Sequence, residues 1–134
     1  MGSFQVRTEA RTATQNVTPQ VVGLVAQAGV EEGLCLVSTD HTTVGLTVNE
    51  PESDLFRDAI SALERLVPAA ARYAHPENSD SHIKATPIGG SVALPVAGGK
   101  AQLGTWQAVL LCEFDGPRTR TVRVTVVGRE AQGA

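Results

Sequence analysis

Apolar and polar positions change their period several times along the chain, and each change marks an element. From Phe4 to Thr14 polar and apolar residues roughly alternate, which predicts a first strand. Thr18-Pro19 predicts a helix start, since threonine suits the N-cap and proline the first helical position. That helix carries Val21, Val22, Leu24, Val25 and Ala28 and stops at Gly29. Gly33 to Ser38 is a short, wholly apolar run and predicts a strand. Thr43 to Val48 predicts another, with Val44, Leu46 and Val48 alternating against Thr43, Gly45 and Thr47. The main helix is expected from about Pro51 to just before Pro68. Leu55, Phe56, Ala59, Ile60, Leu63, Leu66 and Val67 recur there at helical spacing, and Glu52 and Asp54 suit the positive end of the helix. A polar loop follows from about Arg72 to Ser81. Three strands close the pattern, Ser91 to Val96, Leu103 to Phe114 and Arg120 to Val127, with Gly98-Gly99-Lys100 and Asp115-Gly116-Pro117 as turns. Two helices and about six strands, the last three a meander, predict an α+β domain.

Composition narrows the function classes. The length of 134 residues predicts a single domain over residues 1–134 with a core of its own. A net charge of -3 argues against nucleic-acid binding, which needs a basic face. No apolar run approaches the roughly 18 residues of a membrane span, and no basic-then-apolar leader opens the chain. Cys35 and Cys112 each sit in an apolar run and read as buried, reduced thiols. The expectation is a cytoplasmic enzyme or binding domain without nucleic-acid or membrane partners.

The chemistry-bearing residues are few. The three histidines, His41, His75 and His82, all lie among small polar residues, and Asn49-Glu50 follows His41 closely. Three imidazoles and a carboxylate are the donor types of an open catalytic Zn²⁺ site or of an acid–base site. The spacings fit no short metal motif, so the fold must bring them together. Asn49-Glu50 also reads as the approach to the long helix, and the histidines as solvated turn residues. Gly89-Gly90-Ser91 offers backbone N–H groups to a phosphate, although most such stretches are turns. Trp106, in Gly104-Thr105-Trp106-Gln107, is the sole tryptophan and reads first as core or subunit interface. Arg118, Arg120 and Arg123 suit a phosphate or a solvated face.

Taken in order, His41-Thr42-Thr43 with Leu46 and Asn49-Glu50, Tyr73 with His75, Ser81-His82-Ile83-Lys84, Leu103-Gly104-Thr105-Trp106-Gln107 and Asp115-Gly116-Pro117-Arg118 resemble the bacterial and archaeal YjbQ family. The resemblance runs from about residue 5 to residue 128. It implies one α+β domain with a large mixed sheet, assembled as a homotrimer. It also implies the activity of a secondary thiamine-phosphate synthase, which joins hydroxymethylpyrimidine diphosphate to thiazole phosphate and releases pyrophosphate. On that resemblance His41, Glu50, His75 and His82 form a polar cluster, with His41, His75 and His82 as metal ligands and His41, Glu50 and His82 catalytic. Asn49, Ser91, Thr105, Trp106 and Gln107 surround it, and Lys84 and Arg118 are candidate phosphate partners. A divalent Zn²⁺ or Mg²⁺ is compatible with this set, and no organic cofactor is expected. Two rival readings remain: a metal-dependent hydrolase with a three-His/Glu site, and a non-catalytic trimer that binds a small molecule or metal.

Overall fold

The structure, a computed structural model, describes residues 2–75 and 77–130. Eight strands and three helices follow in the order β1 (Gly2–Arg7), β2 (Ala13–Asn16), α1 (Thr18–Gln27), β3 (Val30–Ser38), β4 (Val44–Asn49), α2 (Ser53–Leu66), α3 (Ser79–Ile88), β5 (Ser91–Ala97), β6 (Lys100–Ala101), β7 (Ala108–Glu113) and β8 (Thr119–Glu130). A five-stranded sheet runs β1-β8-β3-β5-β6 and a three-stranded sheet runs β2-β7-β4. Every pairing among the described residues is antiparallel.

The core follows from strand alternation. Cys35, Val37, Val122 and Val124 of the larger sheet share one buried cluster with Leu46, Val109 and Leu111 of the smaller sheet. Val17, Val21 and Val25, in and just before α1, complete it. The other face of the larger sheet is open: Leu34 is 53% and Leu36 42% exposed, although their neighbours Cys35 and Val37 are sealed. Gly98 and Gly99 take φ values of 58° and 74° in the two-residue turn between β5 and β6, a left-handed pair that side chains disfavour.

Several expectations change. The single strand over Phe4 to Thr14 is two strands, β1 and β2, lying in different sheets. The expected mixed sheet is a pair of antiparallel sheets, and the expected meander does not form. β5 and β8 flank β3 in the larger sheet, whereas β7 is the centre of the smaller one. β7 starts only at Ala108, because Leu103 to Gln107 is a turn closed by Gln107 N–H donating to Gly104 O. Thr18 does not cap α1. Its hydroxyl accepts from Val109 N and ties the helix to β7, while the Asn16 side chain accepts from Thr18 N. The cap of α2 is Glu52, whose carboxylate accepts from Asp54 N and Leu55 N. A third helix, α3, begins inside the expected loop and carries His82.

Candidate functional site

α3 positions His82, and it is built with polar residues inward. Ser79, Asp80, Ser81, Lys84 and Ala85 are buried. Each polar group among them is matched, as burial demands. The Asp80 carboxylate receives both Arg11, at 3.0 Å, and Lys84, at 3.1 Å. Burial alone would raise the Asp80 pKa; the bonds from Arg11 and Lys84 outweigh it and hold the carboxyl below its ordinary range. The Ser81 hydroxyl donates to Phe114 O, and Asn78 donates to Asp115, so the segment directly after β7 holds the helix. The backbone of β4 approaches closely at Gly45, where a Cβ would stand 2.4 Å from the Ile88 side chain. These contacts leave His82 half-buried on the outer side of α3.

His41 lies in the turn between β3 and β4, over a buried ion pair. Arg120 bonds the Glu113 carboxylate through both Nε and Nη2, and also donates to the Thr43 hydroxyl. Thr8 donates to the same carboxylate, which also accepts from Phe114 N and Asp115 N. Burial pushes the Glu113 carboxyl up, and this set of donors more than reverses it, leaving the pKa lowered. His41 Nε2 accepts from Thr121 N at 3.0 Å, and Nδ1 stands 3.3 Å from Arg120 Nη1. A neutral imidazole has a single ring lone pair, and the Thr121 contact assigns it to Nε2. Burial first, then the charge on Arg120, holds the His41 pKa below its usual value. In this arrangement His41 is a neutral ring whose lone pair is already taken.

Two open clefts meet at His82. One, of about 430 Å³, is lined by Tyr73, His75, Ser79, His82 and Ile83. The other, of about 290 Å³, is lined by His41, Thr42, His82, Thr86, Gly89 and Gly90. The rings of His75 and His82 stand edge-on with centroids 5.4 Å apart. The three histidines therefore gather around one helix, although no group of three His, Cys, Asp or Glu among the described residues is arranged to hold a metal ion. His41 Nε2 is engaged by Thr121 N and Arg120 stands beside Nδ1, so His41 would have to give up these contacts to serve as a metal ligand within one chain.

The other candidates separate from this cluster. The β4–β7 ladder begins at Val44 opposite Glu113 and ends at Asn49 opposite Ala108. Asn49, Glu50 and the turn with Thr105, Trp106 and Gln107 thus stand at the end away from His41, five residue steps or roughly 17 Å along the ladder. Trp106 is not core: it is 72% exposed. Ser91 is exposed just after Gly90, at the histidine end. Lys84 is not a free phosphate partner, because it is buried between Asp80 and Glu64. Arg118 is half-exposed but bonded to Asp115. The Arg120–Glu113 pair was missed as a unit, yet its signal is readable. Arg120 shares the inward register of Val122 and Val124, and Glu113 that of Val109 and Leu111. Two opposite charges at inward positions announce a buried pair.

Known proteins share this frame. The family model described as UPF0047 protein YjbQ-like matches residues 2–129. A UPF0047 protein from Archaeoglobus fulgidus is 45% identical over 122 residues, covering 89% of this chain and 94% of its own. A solved YjbQ/UPF0047 protein from Clostridium acetobutylicum is 36% identical at a TM-score of 0.91, covering 95% of this chain and 100% of that one. The protein APE1520 from Aeropyrum pernix is 38% identical with the same TM-score of 0.91, over 96% of this chain and 98% of that one. Identity at this level across nearly the whole length, together with the match of fold, means that the chain belongs to the YjbQ-like UPF0047 family.

Proposed function

We propose that the chain is a transferase of the thiamine-phosphate synthase type, working as a homotrimer on small phosphorylated substrates. The observation that carries this reading is His82 as the common wall of two adjoining clefts. A reaction that joins two halves needs two neighbouring recesses and a group between them that handles charge. In the reaction the C–O bond from the pyrimidine methylene to its diphosphate breaks, and the thiazole nitrogen supplies the electron pair for the new C–N bond. Pyrophosphate leaves with the electron pair of the broken bond. Orientation of the two halves does much of the work, and stabilising the departing charge does the rest. An imidazole N–H of His82 or His75, the hydroxyl of Thr42 and backbone N–H groups near Gly90 are the donors this chain offers, since the Thr86 hydroxyl already donates to His82 O. Mg²⁺ accompanies the diphosphate as part of the substrate.

The split of candidate residues supports the trimer. Glu50, Asn49 and Trp106 line neither of the two clefts at His82 within one chain. A ring in which the far end of one copy meets the histidine end of the next would unite them, and repeated contacts of that kind close into a cyclic oligomer. Two-substrate kinetics test the cleft assignment. His75→Ala raises the KM of one substrate and Thr42→Val that of the other, each with a smaller change for the partner substrate. Equal effects on both substrates would refute the two-cleft reading.

One observation favours a second reading, a metal-dependent hydrolase. Two imidazoles on one Zn²⁺ stand roughly 5 Å apart centre to centre, given Zn–N distances of about 2.0–2.1 Å, which is close to the His75–His82 spacing of 5.4 Å. A third donor would then come from outside this chain. Metal analysis of protein purified without a histidine tag separates the readings: stoichiometric Zn²⁺ lost in His75→Ala favours the hydrolase.

A further inference from the structure

We propose that the space between α2 and the three-stranded sheet is a binding site for a small apolar molecule about the size of one aromatic ring. α2 turns an apolar stripe of Phe56, Ile60 and Leu63 toward the sheet, yet none of its residues is buried. Leu63, toward the C-terminal end of the helix, packs against the buried cluster of Ala85, Cys112 and Phe114, and the rest of the stripe seats loosely over the sheet. Beneath it is a cavity of about 110 Å³, floored by Thr47 and Cys112 and walled on the far side by Ile88 of α3. Protein interiors leave few voids larger than a water molecule. A cavity of this kind, with apolar walls and size on the order of 100–150 Å³, stays dry in other proteins and accepts benzene or xenon.

Two features make this a site rather than a packing defect. It has a way in: the cavity adjoins a more open recess of about 220 Å³ at the start of α2, lined by Pro51, Ser53 and Leu110, and Phe56 and Thr14 line both. It also has a movable wall, since the polar tie recorded between α2 and the body is the Glu64–Lys84 ion pair. The hydroxyls of Thr14 and Thr47 offer an occupant one or two hydrogen bonds. The Cys112 thiol, pushed up to about 11 by burial, keeps the floor uncharged near neutral pH. None of the three histidines lines this space, so within one chain it is distinct from the clefts at His82, although Asn49 lines its edge.

Benzene is the probe, added to the full chain. The expected result is a melting temperature that rises saturably with benzene. In spectra of methyl-labelled protein, ring-current shifts concentrate on Ile60, Leu63 and Ile88. Cys112→Leu, which fills the cavity from its floor, raises the melting temperature of the benzene-free protein and removes the benzene-dependent rise. No saturable rise in the natural chain, or methyl shifts scattered over the molecule, would overturn the proposal. So would a Cys112→Leu protein that keeps the full benzene response. Should that variant fail to fold, the methyl shifts of the natural chain decide alone.

Discussion

His41 and His82 line the same cleft, yet their surroundings give them different chemistry. His41 is locked by Thr121 N and faces Arg120; the His82 ring has no such restraint among the described hydrogen bonds. Replacing His41 should therefore cost mostly stability, and replacing His82 mostly rate. Glu113, Asp80 and His41 all have pKa values lowered from ordinary values of 4.5, 3.8 and 6.5. A lowered value means stability that is complete above the unfolded pKa and lost as pH falls through the folded one. The expected melting temperature is level near pH 8, begins to fall below about pH 6.5 as His41 is forced to protonate, and falls further below about pH 4.5. Glu113→Gln should flatten the second fall; an unchanged acid limb in that variant would count against the assignment. Removing one partner of the buried pair is worse than removing both. Glu113→Ala should cost about 3–5 kcal/mol in denaturant melts, and Glu113→Leu with Arg120→Met clearly less. At this scale the sequence displayed the histidines, because imidazoles among small polar residues stand out. It hid the ion pair, because Arg120 read with Arg118 and Arg123 as a phosphate or solvated face until its inward register, and that of Glu113, is counted.

Among the elements, α2 was legible and α3 was not, for opposite reasons. α2 repeats its apolar residues at helical spacing over 14 residues. α3 buries Asp80, Ser81 and Lys84 instead, ends on Pro87-Ile88 and shows no apolar stripe to find. Its stability comes from matched polar partners on Arg11, Glu64 and Phe114, which no local pattern displays. The boundaries of α2 could be read, but its loose seat on the sheet could not, since spacing shows which face is apolar and not how tightly it is covered. Hydrogen exchange should find α2 amides opening far more readily than those of β7, all of whose residues are buried. Equal protection of the two elements would contradict the loose seat. Gly45→Val should push against Ile88 and lift α3 from β4, with a loss of about 1–3 kcal/mol in denaturant melts. A variant as stable as the natural chain would mean that α3 is not held at that contact.

For the whole molecule, the α+β class was readable from the mix of periods, but the partition into two sheets was not. Alternation assigns inward and outward positions along one strand and says nothing of which strand lies beside it. That is why Phe4 to Thr14 read as one strand and why β7 was expected beside β5 and β8. It is also why the apolar run of β3 showed no outward face, whereas Leu34, Leu36 and Val127 are outward on neighbouring strands. An exposed apolar patch across paired strands is the kind of surface that association covers. Light scattering is expected to report three copies, and Leu34→Glu a smaller species; a stable natural monomer at micromolar concentration would remove the composite site. If Glu50 of one copy serves His82 of the next, mixing and reassembling inactive His82→Ala and Glu50→Ala chains should restore about a quarter of the activity, since half the chains supply each intact residue. The most direct test of the account is formation of thiamine phosphate from hydroxymethylpyrimidine diphosphate and thiazole phosphate with Mg²⁺, comparing the natural chain with His82→Ala. The account predicts product with the natural chain, and a loss of a hundredfold or more in a variant that melts at the same temperature. No product from the natural chain, or full activity in a well-folded His82→Ala protein, would contradict it.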